Sequence, residues 1–317
     1  MRWASASVTT RPLFTAPYSG RALLLGLFFF CCPAIASNSE ACTLWAAAGS
    51  SVEGKGTLIV KNRDWRPGHR QELRVLRPEG GYASLVLVAV SGDEPGTKAG
   101  LNEKGLVIVS ATAAQLSRDD RNRVQQNPGL VKTLLAECAT VADVLNRLDQ
   151  FRRPVFYLVA DRTAIALIEV APDGRVHVER RVTGTLAHTN HYLSADAQGV
   201  HRQPDAGSFV RLERIEQFLK AQAHPLTVAD FIRFSVDKHG GPDNSIWRTG
   251  STALKTQTLA TWLVSVPPKG SPQLYLKTAD PGYSEKVCRI SLDDALSTKR
   301  NHICMDSDLC KGLVTPE

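Results

Sequence analysis

The chain has 317 residues, 43% of them hydrophobic and 22% charged, enough to bury a sizeable core as one large domain or two small ones. Its formal net charge of +7 falls to +5 without residues 1–41, which carry Arg2, Arg11, Arg21 and Glu40. So mild a surplus, with no lysine or arginine run interleaved with aromatics, argues against a nucleic-acid partner and permits an anionic substrate without requiring one.

The first segment reads as a secretory signal: arginines without acids up to Arg21, the apolar stretch ALLLGLFFFCC from Ala22, then small residues at Ala34 and Ala36. Ala22 to Ala36 is fifteen residues, short of the roughly 20 that span a bilayer, and nothing later is longer and as apolar. The mature protein is therefore expected in the periplasm or outside the cell, with no membrane span. Two cuts fit the small-x-small rule, one before Ser37 and one after Ser39-Glu40-Ala41, before Cys42. Residues 1–36, or up to 41, are read as the signal and 42–317 as a single domain. The second cut puts a cysteine at the new N-terminus. It also leaves five cysteines, Cys42, Cys138, Cys288, Cys304 and Cys310. In an oxidising compartment an odd count leaves one thiol over, and Cys42 is the candidate. Cys304 and Cys310 lack a zinc-type spacing, so a local disulfide between them is expected.

Further along, CTLWAAA and GTLIVKNRDW flank the glycine-bearing SSVEGKG and predict a hairpin. Strands are predicted at ASLVLVAV (83–90) and LVIVSATA (106–113), and a solvated loop over 116–127, LSRDDRNRVQQN. NPGLVKTLLAECATVADVLNRLDQF has apolar residues at helical spacing, with Thr140 placed to cap a second helix. VFYLVAD, AIALIEVA and VHVERR return to strand pattern. Helices follow at FVRLERIEQFLKAQA and, capped by Thr227, at VADFIRFSVDKHG, then strands at TLATWLVSVP and QLYLKTA. Strands in blocks with helices between them predict an α+β layered fold rather than a doubly wound sheet.

Cys-Thr at the expected mature start, KNRDW (61–65), GLNEKGL (100–106), HTNHY (188–192) and SIWR (245–248) occur in an order and spacing that resembles the N-terminal nucleophile hydrolases. The resemblance is to their cysteine branch, which contains choloylglycine hydrolases, penicillin V acylases and isopenicillin N acyltransferase-like proteins, and it covers Cys42 to about Leu292. It implies a four-layer αββα sandwich, a single catalytic domain over 42–317 and no metal or organic cofactor. The form TNHY is closer to the acyltransferase-like group.

The chemistry also follows from the residues. A chain-terminal cysteine carries a thiol and an α-amine, whose ordinary pKa of about 7.7–8.0 lets it take the thiol proton, so one residue supplies nucleophile and base. Attack on an amide gives a tetrahedral oxyanion, then a thioester, then hydrolysis. By resemblance, Asp64 holds the terminal amine, Asn190 donates to the oxyanion, and a backbone N–H near Thr112 supplies the second donor. Arg248 completes the site. Lys61 stands where the family usually has arginine, with Arg63 adjacent. His191 is not needed as a base and is read as a packing or substrate contact. Trp65 is a candidate wall of an acyl pocket, as is Trp247. The expected function is hydrolysis of a linear amide C–N bond in a small-molecule acyl amide. Acyl transfer to an amine is the alternative, as is a catalytically silent binding protein of the same fold. The acyl amide and the oligomeric state stay open.

Overall fold

The structure, a computed structural model, describes residues 41–311 apart from 92–93, 124–128, 196–199, 201–202 and 204. The expected signal over 1–36 lies outside the described residues, as does the end of the polar 116–127 segment.

In chain order, β1 (Cys42–Ala48) and β2 (Thr57–Trp65) are followed by β3 (Gln71–Leu76), β4 (Ser84–Ala89), β5 (Gly96–Asn102) and β6 (Val107–Thr112). Helices α1 (Arg118–Arg123), α2 (Leu130–Glu137) and α3 (Val141–Leu145) precede β7 (Val155–Ala160), β8 (Ile165–Val170), β9 (Val176–Arg181) and β10 (Gly184–His188). Then come α4 (Ala206–Lys220), α5 (Val228–Ser235), α6 (Gly241–Asn244), β11 (Gln257–Val266), β12 (Gln273–Thr278), β13 (Lys286–Ser291), α7 (Leu292–Ser297) and β14 (His302–Ile303). Two antiparallel sheets result, one ordered β10-β1-β2-β11-β12-β13 and the other β14-β3-β4-β5-β6-β7-β8-β9.

The period-2 alternation of strand side chains generates the layers. In β1, Cys42, Leu44, Ala46 and Ala48 face a core between the sheets, where they meet Val107, Val109 and Leu158. Trp45 and Ala47 face the other way, into a core with Ile215 of α4 and Phe231 and Phe234 of α5. A third core joins Ile108 and Val159 to Leu134 and Leu135 of α2 and Val141 of α3. Helix, sheet, sheet and helix layers therefore stack as the αββα sandwich expected above. Thr140 and Thr227 cap α3 and α5 as predicted, each with a reciprocal bond from an aspartate three residues on. Asn102 closes the turn after β5: its Oδ1 accepts from the N–H groups of Lys104 and Leu106, and its amide donates to the carbonyls of Leu135 and Cys138. Gly105 completes that turn at φ +87°.

Two expectations are corrected. The 116–127 segment is not wholly a loop, because Ser117 Oγ accepts from the Asp120 N–H and starts α1. The disulfide joins Cys288 to Cys310, not Cys304 to Cys310, and Cys304 is an exposed free thiol. A bridge between Arg289 and Lys311 brings the C-terminal turn alongside β13 and sets Cys310 against the inward-facing Cys288. Among the described residues no helix is long and apolar enough to cross a membrane.

Candidate active site

Cys42 opens β1 and pairs with Arg63 on β2, so KNRDW runs directly beside the thiol. Strand alternation splits this motif. Lys61, Arg63 and Trp65 join Cys42 on the side of a cavity of about 420 Å³, which Ser110 and Thr112 at the end of β6 also line. Asn62 and Asp64 point to the helices. There Asn62 donates to the carbonyls of Ser235 and Ile246 and accepts from Thr261, a structural role.

The Cys42 N–H donates to Asn190 Oδ1 at 2.7 Å. The same amide donates through Nδ2 to the Thr112 carbonyl at 2.9 Å. Three residues far apart in sequence, Cys42, Thr112 and Asn190, thus meet at one point. In the unbroken chain Cys42 nitrogen is a peptide amide with a single hydrogen, and Asn190 rather than Asp64 receives it. Asn190 is itself held by its N–H on Ser208 Oγ at 3.0 Å.

Asp64 is fully buried. Its Oδ1 accepts from the Thr258 hydroxyl at 2.7 Å, while Oδ2 lies 3.5 Å from an Arg211 nitrogen and accepts no hydrogen bond among the described residues. The Thr258 hydroxyl is delivered by a bulge in β11, where Thr258 opposes Asp64 and Ala260 opposes Arg63, leaving Leu259 unpaired. Burial pushes the Asp64 carboxyl above its usual range, against the opposing pull of Arg211 and Arg248. Arg248 is 6% exposed, and its Nε and Nη1 have no hydrogen-bond partner among the described residues.

Lys61 is buried, with its ammonium on the carbonyls of Ser110 and, at 3.2 Å, Lys98, and it lines the same cavity as Cys42. Burial draws its pKa down, while the facing Cys42 and Asp64 work the other way. Trp65 lines the cavity, and Trp247 and His191 do not. Trp247 lies under the Lys277 ammonium instead. His191 packs its ring on Phe209 at 4.2 Å and bonds Ser208 Oγ at 2.8 Å. Burial, then His188 and Arg211, lower the His191 pKa to about 4, so the ring is neutral at pH 7 and a weak base.

One residue of this cluster escaped the sequence reading. Arg211, on α4, is fully buried. It donates to the Cys42 carbonyl (3.1 Å), Thr43 Oγ1 (3.2 Å) and Asn190 Oδ1 (3.3 Å) and faces Asp64. Its signal was present: it lies four residues before Ile215 and shares the apolar face of the helix with it.

Comparison with known proteins fits this arrangement. A family model described as acyl-coenzyme A:6-aminopenicillanic acid acyl-transferase matches residues 51–279. No curated protein matches the chain. Two solved structures of the conjugated bile acid hydrolase from Clostridium perfringens, one an arginine-to-leucine variant and one a cysteine-to-alanine variant, are similar in fold, with TM-scores of 0.54 and 0.53. Each is 14% identical, and each match covers 84% of this chain and 94% of the other. With the family model matched over well more than half its length and the sandwich shared, the chain belongs to the acyl-coenzyme A:6-aminopenicillanic acid acyl-transferase family, on the N-terminal nucleophile hydrolase fold.

Proposed function

We propose that this protein hydrolyses a linear amide through a thioester on Cys42, once Cys42 has become the first residue of the chain. The observation that carries the reading is the convergence of the Cys42 nitrogen, the Asn190 amide and Thr112 at the edge of a cavity. The freed α-amine takes the thiol proton. Asp64 Oδ2, which accepts no hydrogen bond among the described residues, is the acceptor we assign to the resulting ammonium, supported by Arg211 and Arg248. The sulfur adds to the amide carbon, and Asn190 Nδ2 turns from the Thr112 carbonyl to the oxyanion, alongside the Thr112 N–H. The C–N bond then breaks and the amine leaves with the ammonium proton. Water adds to the thioester, the C–S bond breaks, and the thiol and a carboxylic acid are released. Acyl transfer would share every step but the last nucleophile. Trp65 is the proposed substrate contact; His191, held on Phe209 and Ser208, is assigned to packing. Export to the periplasm or beyond is part of the same proposal, since removal of a signal is one route to a free Cys42.

The test is a panel of small acyl amides incubated with mature protein, quenched in acid and weighed intact. An acyl adduct on the N-terminal peptide, with acid and amine released in equal amounts, supports the reading. Turnover that survives Cys42→Ala refutes it.

A further inference from the structure

Asn190 sits on backbone that belongs to no helix or strand, because β10 ends at His188 and residues 189–195 are irregular. Its side-chain amide nevertheless meets the Cys42 N–H at 2.7 Å and the Thr112 carbonyl at 2.9 Å. A side chain carried by a loop keeps such geometry only if the loop is anchored on both sides of it.

One buried carboxylate supplies both anchors. Glu169 is the only charged residue of the otherwise apolar β8. Strand alternation puts it on the face of Ile165 and Leu167, between the sheets, and puts His188 on the corresponding face of β10 with Leu186. Glu169 is 2% exposed and His188 fully buried. Glu169 Oε1 lies 2.8 Å from His188 Nε2 and accepts from the Leu193 N–H at 2.7 Å, while Oε2 accepts from the Ser194 N–H at 2.9 Å. A carboxylate already taking two backbone N–H groups is an acceptor, so His188 donates to it through Nε2. Burial pushes the Glu169 carboxyl up, but the hydrogen bonds from His188, Leu193 and Ser194 outweigh it and hold the pKa at about 2. Next along β8, the Val170 carbonyl accepts from the Tyr192 hydroxyl at 2.8 Å. Phe156 fills the space beside them, 4.3 Å from the His188 ring and 4.8 Å from that of Tyr192. Because β8 and β10 belong to different sheets, no backbone pairing joins them here and side chains make the connection.

We propose that Glu169 is a positioning residue for the reaction: by binding His188 on one side and the Leu193 and Ser194 N–H groups on the other, it clamps the irregular segment between them and sets the Asn190 amide. The inference rests on the amidase reading for what Asn190 does in turnover, and on the geometry for the clamp itself.

Glu169→Gln keeps the shape but turns one acceptor into a donor, so one of the three N–H groups loses its partner. On a cleaved amide, kcat is expected to fall about tenfold to 100-fold with KM within about twofold, the cost of a small misplacement. Added to Asn190→Ala the same change should cost nothing further, since Glu169 acts through that amide. His188→Gln, which keeps an N–H toward Glu169, should retain most of the activity that His188→Leu loses. Unchanged kcat in folded Glu169→Gln, or losses that multiply with those of Asn190→Ala, overturn the proposal. Where Glu169→Gln misfolds, hydrogen exchange on the unmutated protein decides. Leu193 is 44% exposed, so its amide and that of Ser194 should be protected by about 100-fold or more only if the carboxylate holds them, and exchange at the rate of a free loop overturns the clamp. The Asn190 side-chain signal in protein labelled with 15N-asparagine, assigned by its loss in Asn190→Ala, separates this inference from the function beneath it. A signal that shifts in Glu169→Gln while no amide is cleaved by either form keeps the clamp and removes the amidase reading. Cleavage with signal and kcat unaltered removes the clamp and leaves the amidase.

Discussion

At the scale of single residues, Asn190 and Arg211 are the two whose loss separates chemistry from support. Asn190→Ala should lower kcat by about 100-fold to 1,000-fold with little change in KM, because an oxyanion donor acts on the transition state; steady-state kinetics on a cleaved amide decide it, and unchanged kcat removes Asn190 from the site. Arg211→Met should cost stability as well. It strips a fully buried carboxylate, Asp64, of its nearest cation, and breaking such a pair costs about 3–5 kcal/mol, which urea denaturation would register alongside lost activity. Sequence reasoning singled out Cys42, Asp64 and Asn190 because each sits in a short motif, and the structure places Asn190 on the Cys42 N–H and Asp64 beside Arg211. It missed Arg211 because a charged residue on an amphipathic helix ordinarily faces water, and only the fold reveals that this one points at Asp64.

Secondary-structure elements decide how firmly those residues are held. Helix α5 seats Phe231 and Phe234 in the core behind β1 and offers the Ser235 carbonyl to Asn62 of KNRDW. Its N-terminal box is reciprocal: Thr227 Oγ1 accepts from the Asp230 N–H at 3.1 Å, and Asp230 accepts from the Thr227 N–H at 3.0 Å. Thr227→Ala should therefore cost about 1 kcal/mol of stability, read as a lower denaturation midpoint with the cleavage site unchanged. This box was legible, since Thr and Asp at that spacing precede an apolar period of 3.6. The inner strands were legible too, because β1, β6, β7 and β8 are continuous apolar runs. β3 and β13 were not: both lie toward sheet edges and interleave charged residues, such as Glu72, Arg74 and Arg289, with their buried ones. The bulge at Leu259 was equally hidden. TLATWLV reads as an uninterrupted strand, and the extra residue is set by its pairing with β2, a partner nearly 200 positions away.

Across the whole molecule, the burial of the Ala41–Cys42 junction constrains how the proposed nucleophile can be released. Ala41 is 1% exposed and Cys42 5%, and Cys42 is pinned between Asn190 and Arg211. A protease needs several residues of extended, accessible chain around the bond it cuts, so the folded precursor denies it that bond. On the function proposed above, cleavage would then precede folding, as a signal cut during export would, or be carried out by the site itself. Either way the active protein should begin at Cys42; N-terminal sequencing and intact mass check this, and a stable, active species starting at Ser37 would sink the mechanism. Cys42→Ala separates the routes, because a cut in transit still leaves alanine at the terminus whereas self-cleavage would leave SNSEA attached. Alkylation gives the complementary view. Cys138 is buried, Cys288 and Cys310 are paired, and Cys304 is exposed, so iodoacetamide should label two sites in the mature protein. The label on Cys304 should be silent and absent from Cys304→Ser, and the label on Cys42 should track loss of activity and slow as the pH falls, because the thiolate is the attacking form. Activity lost with Cys304 labelled and Cys42 untouched would move the nucleophile away from the N-terminal strand altogether.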